Sequence, residues 1–505
     1  MTLTPLQLSD LSSRLEGDVT SDPAIRAMYA TDASVYQILP SAVVRPRNRN
    51  DVAAALAFCR EHGTSITARG GGTSQAGQAI GAGLQLDFSK HFSGLLELQP
   101  DHQRVRVQPG IVLDELNATL KPYGLTLPLD LSTSSRATIG GMISNNSAGT
   151  RSVVYGKTID YVESLTVMLA DGSVVVLDDS LPSTPDTLHA RCHEAVLNLA
   201  NTHSAEIGQR YPQILRRVGG YNLDEFTPDH QRPPNLSRLI VGSEGTLALI
   251  AEVSLKLSRI PTAVSAAVCP FADIDAAIAA AIATLCQGIP VARLEFLDEV
   301  QMAACNQYSQ LSYPEAPTLF FEFHGSDAAI VAQAEAAAEI VARHGGGPFR
   351  WATAQGERDR LWQARYDAYH ACRALRPGAT GYVTDVCVPI TALAHCIRET
   401  RVLVQDLDFP APLFGHVGDG NYHVVCIIEP GNEGELAQVK DLGAQLVDLA
   451  LQAGGTCTGE HGIGLGKIAA LEKECGPAVE IMRKIKNALD PDYLMNPGKV
   501  LRHTP

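Results

Sequence analysis

The chain has 505 residues, of which 45% are apolar and 19% charged, and its net charge is −15. That length exceeds one ordinary core and fits a globular protein of two or three domains. The acidic balance, with no basic run, excludes nucleic acid as a partner, and no stretch approaches the ~18 to 20 apolar residues of a membrane span.

The N-terminal segment has neither a basic start nor an apolar core, so it does not read as a secretory signal. A cytoplasmic protein is expected, with peripheral contact at the inner membrane left open. SAVVRP (41–46) is an apolar strand closed by proline, and DVAAALAFCREHG (51–63) a helix stopped by Gly63. TSITARGGGTSQAG runs from a strand into a glycine loop. LQLDFS, LLELQ and RVRVQPG alternate as short strands, and VLDELNATLKPYG returns to helical spacing. Residues 127–156 read as a long loop. SLTVMLADGSVVVLDD is a strand pair around Ala170-Asp171-Gly172. Residues 181–237 hold a helix and a polar excursion, and LIVGSEGTLALIAEVSLKLSRIP closes the first region with strands. Beyond Pro261 alanine-rich helices alternate with strands, and the last fifty residues read as loops and one helix. The expected domains are 1–260, 261–455 and a returning segment, 456–505. The eleven cysteines show no CxxC spacing, which argues for buried free thiols rather than an iron–sulfur or zinc ribbon site.

ARGGGTSQAG (68–77) follows a strand, and its glycines allow main-chain N–H groups to converge on an anion. It lacks the GxGxxG spacing of the dinucleotide fold. TIGGMISNNSAG (138–149), YG (155–156) and VGSEGTLALI (241–250) follow in order. This series resembles the flavin-binding domain of the vanillyl-alcohol oxidase/p-cresol methylhydroxylase family. The resemblance implies an α+β fold: a two-subdomain FAD-binding domain plus an α+β cap carrying an antiparallel sheet. By position, Gly70, Gly71, Gly72, Thr73, Ser74 and Gly77 would cradle the pyrophosphate, with Arg69 and Gln78 beside them. Thr138, Gly141, Asn145 and Gly149 would line the flavin, and Glu244 and Gly245 the adenosine portion. Gln78 replaces a common glycine and Leu131 a common proline. Thr73 and Ser74 stand where covalent members often carry histidine, so the FAD is expected to be non-covalent.

GHVGDGNYH (415–423) places two histidines seven apart around Asp419-Gly420, a strong two-residue hairpin signal. A type I′ turn centred there would oppose His416 to His423 on one face, with Asn421 sharing it. TGEHGIGLGK (458–467) adds Glu460 beside His461. A phosphate loop fits it poorly, because Ile468 follows Lys467 where Ser or Thr belongs. His416, His423 and Glu460 form an open catalytic metal set, suited to zinc first and manganese second.

VARLEFLDEV, LWQARYDA, GYVTDVCVP, GHVGDGNYH, GTCTGEHGIGLGK and LMNPGKVL, in that order, resemble the C-terminal half of FAD-dependent D-lactate dehydrogenases. These are relatives of D-2-hydroxyglutarate dehydrogenase and of the glycolate oxidase flavin subunit. The resemblance covers roughly residues 40–501. It implies the same three metal ligands, His461 as catalytic base, Arg365 as a clamp on the substrate carboxylate, Asn421 as a polar substrate contact and Asn496 on the flavin side. The implied reaction oxidises a small D-2-hydroxy acid, passing electrons to cytochrome c, a quinone or an electron-transfer flavoprotein. An oxidase, a flavin subunit needing partners and a homodimer all stay open. The glutarate enzymes carry a lysine where Val383 stands here, which favours D-lactate unless Arg373 or Arg376 reaches in.

Overall fold

The computed structural model describes residues 3–230 and 232–502. The first sheet runs in the order Asp18–Thr20, Ala42–Arg45, Leu84–Asp87, Ile66–Arg69, parallel except for its first pair. Helix Arg49–His62 covers it. Asn48 accepts from the Asp51 amide at its start, and Gly63, at φ +58°, closes its end. The helix buries Val52, Ala55, Leu56, Phe58 and Cys59, one face at helical spacing, against Val44, Leu84 and Leu86. Each such apolar side chain stabilises the fold by about 1.5–3 kcal/mol when fully buried. A late segment completes this sheet. Ile66 N donates to Leu494 O at 2.8 Å, and Asn496 N donates to Ile66 O at 2.8 Å, making a parallel bridge. Buried Lys486 fastens that segment by donating to Met495 O at 2.9 Å.

The second sheet is wholly antiparallel, in the order Leu95–Gln99, Arg104–Val107, Leu249–Lys256, Val162–Met168, Val174–Leu177. Two expectations fail around it. The stretch 127–156 is not simply loop, since it contains helices Ile139–Asn145 and Ser152–Tyr155. Two glycines in the first turn lower intrinsic helix propensity, but the Thr138 hydroxyl caps Gly141 N at 3.3 Å and Ile139, Met142 and Ile143 bury one face. LIVGSEG is likewise not strand: Ser237–Ile240 is helical and the strand begins at Leu249. The last fifty residues hold two helices, Ile468–Cys475 and Ala478–Leu489, rather than one.

The third sheet has eight antiparallel strands. Its order is Arg350–Ala352, Ala263–Pro270, Thr318–Gly325, Val291–Leu297, Leu413–His416, Asn421–Ile428, Thr380–Val383, with Val386–Cys387 also pairing to Asn421–Ile428. Both faces are covered by helices. Phe321, Phe323, Val424 and Cys426 pack on one side, with Ile274–Cys286, Asp327–Arg343, Leu393–Gln405 and Glu433–Gln452. Phe320, Val425 and Ile427 pack on the other, with Glu299–Ser309, Gln355–Tyr366 and Ala368–Ala374. The second face changes character along its length. Leu297, Phe414 and Val425 are apolar, whereas Arg293, Glu295, His416, Asn421 and His423, at the same strand parity, are polar and buried. That polar end builds the site. All eleven cysteines are free, and Cys286 alone of them is exposed. Among the described residues no helix is long and apolar enough to cross a membrane.

Candidate active site

The histidine hairpin forms with a different turn from the expected one. His416 opposes Asn421, and Phe414 opposes His423, so four residues rather than two make the connection. Gly420 has φ +85°, but Asp419 is not left-handed, as a type I′ turn would require. Neighbouring strands hold this wider crown: Gly418 N donates to Leu294 O and Val388 N to Gly420 O, each at 3.0 Å. The shift is two residues in register, which preserves face parity. His416 and His423 therefore still share a face, as a diagonal pair with ring centroids 5.7 Å apart.

Their hydrogen bonds fix which nitrogen is free. His416 Nδ1 meets Glu295 Oε1 at 2.7 Å, and His423 Nδ1 meets the Thr384 carbonyl at 2.8 Å. A carboxylate and a carbonyl only accept, so both Nδ1 atoms carry a proton, and in the neutral rings that a metal would require both Nε2 atoms present lone pairs. These point at one Glu460 oxygen, 3.3 Å from His416 Nε2 and 3.5 Å from His423 Nε2. The three ligand atoms lie within 4.8 Å of one another. Two neutral imidazole lone pairs and a carboxylate at that separation fit a divalent cation. Burial opposes the charge on Glu460, but hydrogen bonds from His416 and His423 in their protonated form, together with Arg216, hold it well below the usual carboxylate range, and a bound cation would take the place of those protons.

The Glu460 loop is shaped by Asp385, a residue to which sequence reasoning gave no role. Fully buried, Asp385 accepts from Glu460 N at 3.1 Å, His461 N at 2.9 Å, Thr458 Oγ1 at 2.6 Å and Asn421 Nδ2 at 2.8 Å. Lys467 completes the cage, its ammonium donating to Asp385 O at 2.7 Å. His461 is set down with its ring stacked on His423, 5.4 Å between centroids. Burial pushes this imidazole down to about 4, against the pull of Asp385 and Glu460. It is thus neutral at pH 7 and able to accept a proton.

All of the residues assigned to the cofactor except Gly77, Gly149 and Asn496 line one cavity, and Glu460 and His461 line it too. The glycine loop and Thr138 approach so closely that a Cβ on Gly70 would lie 2.0 Å from Thr138 Oγ1. The main-chain N–H groups of Gly71, Gly72, Thr73 and Ser74 donate to no protein acceptor among the described residues. A row of free amides in a cavity wall fits a pyrophosphate. The three exceptions act from behind the wall. Gly77 packs on Leu465 and Tyr36, and the Gly149 carbonyl accepts from Arg216 at 3.0 Å. Asn496 Nδ2 braces the carbonyls of Gln78 at 2.9 Å and Glu244 at 2.8 Å. Glu244 accepts from the amides of Ile463 and Gly464, while burial lifts its carboxyl to about 7. Gln78 and Asn145 reach from the cavity to the carbonyls of His461 and Glu460, at 2.7 and 2.8 Å.

Arg365 lies over the Phe414 ring, with Nε on Glu295 Oε2 at 2.7 Å. Asn421 is enclosed, and its amide hydrogens go to Asp385 and Val386 O, so it braces the loop rather than presenting a donor to a ligand. Two further residues were missed. Glu295 bridges Arg365 and His416. Arg216, with no exposed surface, donates to Gly459 O, Gly149 O, Ala148 O, Ser152 Oγ, Asp419 Oδ2 and Glu460 Oε2. The only signal for either was a charge inside an otherwise apolar or glycine-rich run, VARLEFLD and RRVGGYN.

Residues 40–178 match the FAD binding domain family, and residues 238–500 match the FAD linked oxidases C-terminal domain. The chain is 37% identical over 490 residues to the probable mitochondrial D-lactate dehydrogenase of Danio rerio, covering 96% of this chain and 89% of that one. It is 34% identical over 500 residues to the mitochondrial D-lactate dehydrogenase [cytochrome] of Arabidopsis thaliana, with 98% and 80% covered. It is 32% identical over 520 residues to the D-2-hydroxyglutarate dehydrogenase of Escherichia coli (strain K12), covering 96% of this chain and 50% of that one. Its fold is that of p-cresol methylhydroxylase, at a TM-score of 0.68 and 14% identity over 99% of this chain and 97% of that one. With both family matches running through the cavity just described, the chain belongs to the FAD-linked oxidases and is an FAD-dependent oxidoreductase.

Proposed function

We propose that the chain oxidises a short D-2-hydroxy acid, D-lactate first, to the 2-oxo acid and passes the electrons to a cytochrome or quinone-type acceptor. The observation that carries this reading is the shared cavity: the loops that fit FAD also present Glu460 and His461. FAD, when bound, supplies the two-electron acceptor for the hydride on the substrate Cα. A divalent cation held by His416, His423 and Glu460 would lower the pKa of the substrate hydroxyl.

The chain's own residues do the rest. His461, neutral and next to Glu460, takes the hydroxyl proton. Arg365, anchored through Nε, keeps Nη1 and Nη2 for the substrate carboxylate and so orients the face of Cα. Gln78 and Asn145 tie the loop of the base and the carboxylate ligand to the cofactor wall, which fixes the distance between proton and hydride removal.

Substrate size follows from what surrounds Val383. It packs against the apolar face that includes Phe414 and Val425. Arg376 is occupied by Glu429 and Glu435, and Arg373 is exposed. A second, distal carboxylate placed there would be buried without a counter-charge, at a cost of several kcal/mol. Anaerobic bleaching of the flavin by a panel of 2-hydroxy acids, followed by kcat/KM for each, tests the reading. D-lactate and D-2-hydroxybutyrate should lead glycolate and D-2-hydroxyglutarate, and L-acids should leave the flavin yellow. A tenfold preference for D-2-hydroxyglutarate would reassign the substrate.

A further inference from the structure

Glu295 sits on strand Val291–Leu297 with no exposed surface, in line across the sheet with His416. Its two oxygens have one partner each. Oε1 accepts from His416 Nδ1 at 2.7 Å, and Oε2 accepts from Arg365 Nε at 2.7 Å. Neither partner is a neighbour in sequence: His416 lies 121 residues away and Arg365 lies 70 away. A buried carboxylate on a sheet is expensive unless each oxygen is paired, and here both partners belong to the working set of the cavity.

Resting on the function proposed above, we infer that Glu295 is a positioning residue that locks the carboxylate clamp and the metal ligands into one unit. A carboxylate is an acceptor at both ends. At one end it obliges His416 to carry its proton on Nδ1, which leaves Nε2 able to ligate. At the other it holds Arg365 by Nε alone. Nη1 and Nη2 have no protein acceptor among the described residues and stay available as a fork. One anion thereby fixes the separation between the point that grips the substrate carboxylate and the point that grips its hydroxyl. That separation is the 2-hydroxy acid motif itself, so Glu295 selects for the position of the hydroxyl rather than for the length of the tail.

Glutamine is the discriminating substitution, because its amide accepts at one end only. In Glu295→Gln the NH₂ must face either His416 or Arg365. Facing His416, it accepts no Nδ1 proton and drives the ring to the wrong tautomer. Facing Arg365, it sets donor against donor. On FAD-loaded enzyme, zinc affinity is read by competition with a chromophoric chelator, and KM for D-lactate at saturating zinc. One of the two should worsen by about 10- to 100-fold, the usual effect of losing such a partner. Glu295→Asp keeps an acceptor-only group and should retain zinc affinity within threefold while KM rises. If Glu295→Gln leaves both quantities within twofold and lowers only Tm, Glu295 merely fills the sheet and the inference falls. If Glu295→Gln does not fold, the Asp variant decides: zinc lost from it overturns the inference. His423→Ala is measured alongside. Zinc held as tightly by that variant as by the parent removes the metal reading and this inference with it. Zinc released by His423→Ala, with both zinc affinity and KM left untouched by Glu295→Gln, removes this inference alone.

Discussion

His461 and Arg216 differ in kind, although each touches the same carboxylate neighbourhood. His461 contributes a ring whose nitrogens make no hydrogen bond to protein among the described residues, and its main chain is held by Asp385 and Gln78. His461→Ala should therefore lower kcat by about 10² to 10⁴, the contribution of a positioned base, with the flavin spectrum and zinc affinity retained. Arg216 contributes charge and six hydrogen bonds, with Asp419 203 residues away in sequence and Glu460 244 away. Burial opposes its ionisation, but Asp419 and Glu460 keep it protonated. Arg216→Met leaves Asp419 enclosed without its cation, and about 3 to 5 kcal/mol of stability should be lost in denaturant unfolding. Residues of the first kind were legible, because a histidine beside a glutamate in a glycine loop has few other uses. Residues of the second kind were not, because an arginine or glutamate whose partners lie hundreds of residues away leaves no local pattern. Glu295 and Asp385 escaped notice as well, their partners lying 36 to 121 residues away and so outside any local motif.

Elements were read well where one face carries a period and poorly where glycine breaks it. Helix Arg49–His62 matches its spacing and its stop, whereas Ile139–Asn145 was hidden by Gly140 and Gly141. The hairpin shows what a local signal can and cannot settle. Asp419-Gly420 marks a reversal of the chain, but hydrogen bonds from Gly418 N and Val388 N choose its width. Because the error was an even number of residues, the face assignment of both histidines survived it. The glycine loop admits a sharper test. A methyl group on Gly70 would meet Thr138 Oγ1 at 2.0 Å, and that hydroxyl also caps the helix behind it. Gly70→Ala should open the wall and lower FAD occupancy, seen as a reduced flavin-to-protein absorbance ratio in the purified enzyme. Full occupancy would show that the loop can retreat without cost.

Across the whole molecule, a buried ion cluster joins the chain before Pro261 to the eight-stranded sheet. Arg293 meets Asp130 at 2.9 Å, and Arg151 meets Glu322 at 2.9 Å, with His324 also on Glu322 at 2.8 Å. Burial works against the Glu322 charge, but Arg293 and Arg151 outweigh it and hold the carboxyl far below its usual value of 4.5. A carboxyl depressed on folding adds stability that is complete above its unfolded pKa and is lost as pH falls toward the folded one. Thermal stability should therefore decline as pH drops from about 5 to about 3. Glu322→Gln should be less stable at pH 7 and decline less steeply over that interval. A slope equal to the parent's would place the acid sensitivity elsewhere.

The parallel bridge between Ile66 and Met495 has a consequence for how the chain comes off the ribosome. Strand Ile66–Arg69 leads directly into the glycine loop, and Thr67 waits for Asn496, 429 residues later. At about 5 to 20 residues per second, that interval lasts about 20 to 90 s. For all of it the nascent cofactor cradle lacks the bridge at Ile66 and the amide that braces Gln78 and Glu244. In this architecture a completed flavin cradle therefore depends on the segment around Met495 and not on the first sheet alone.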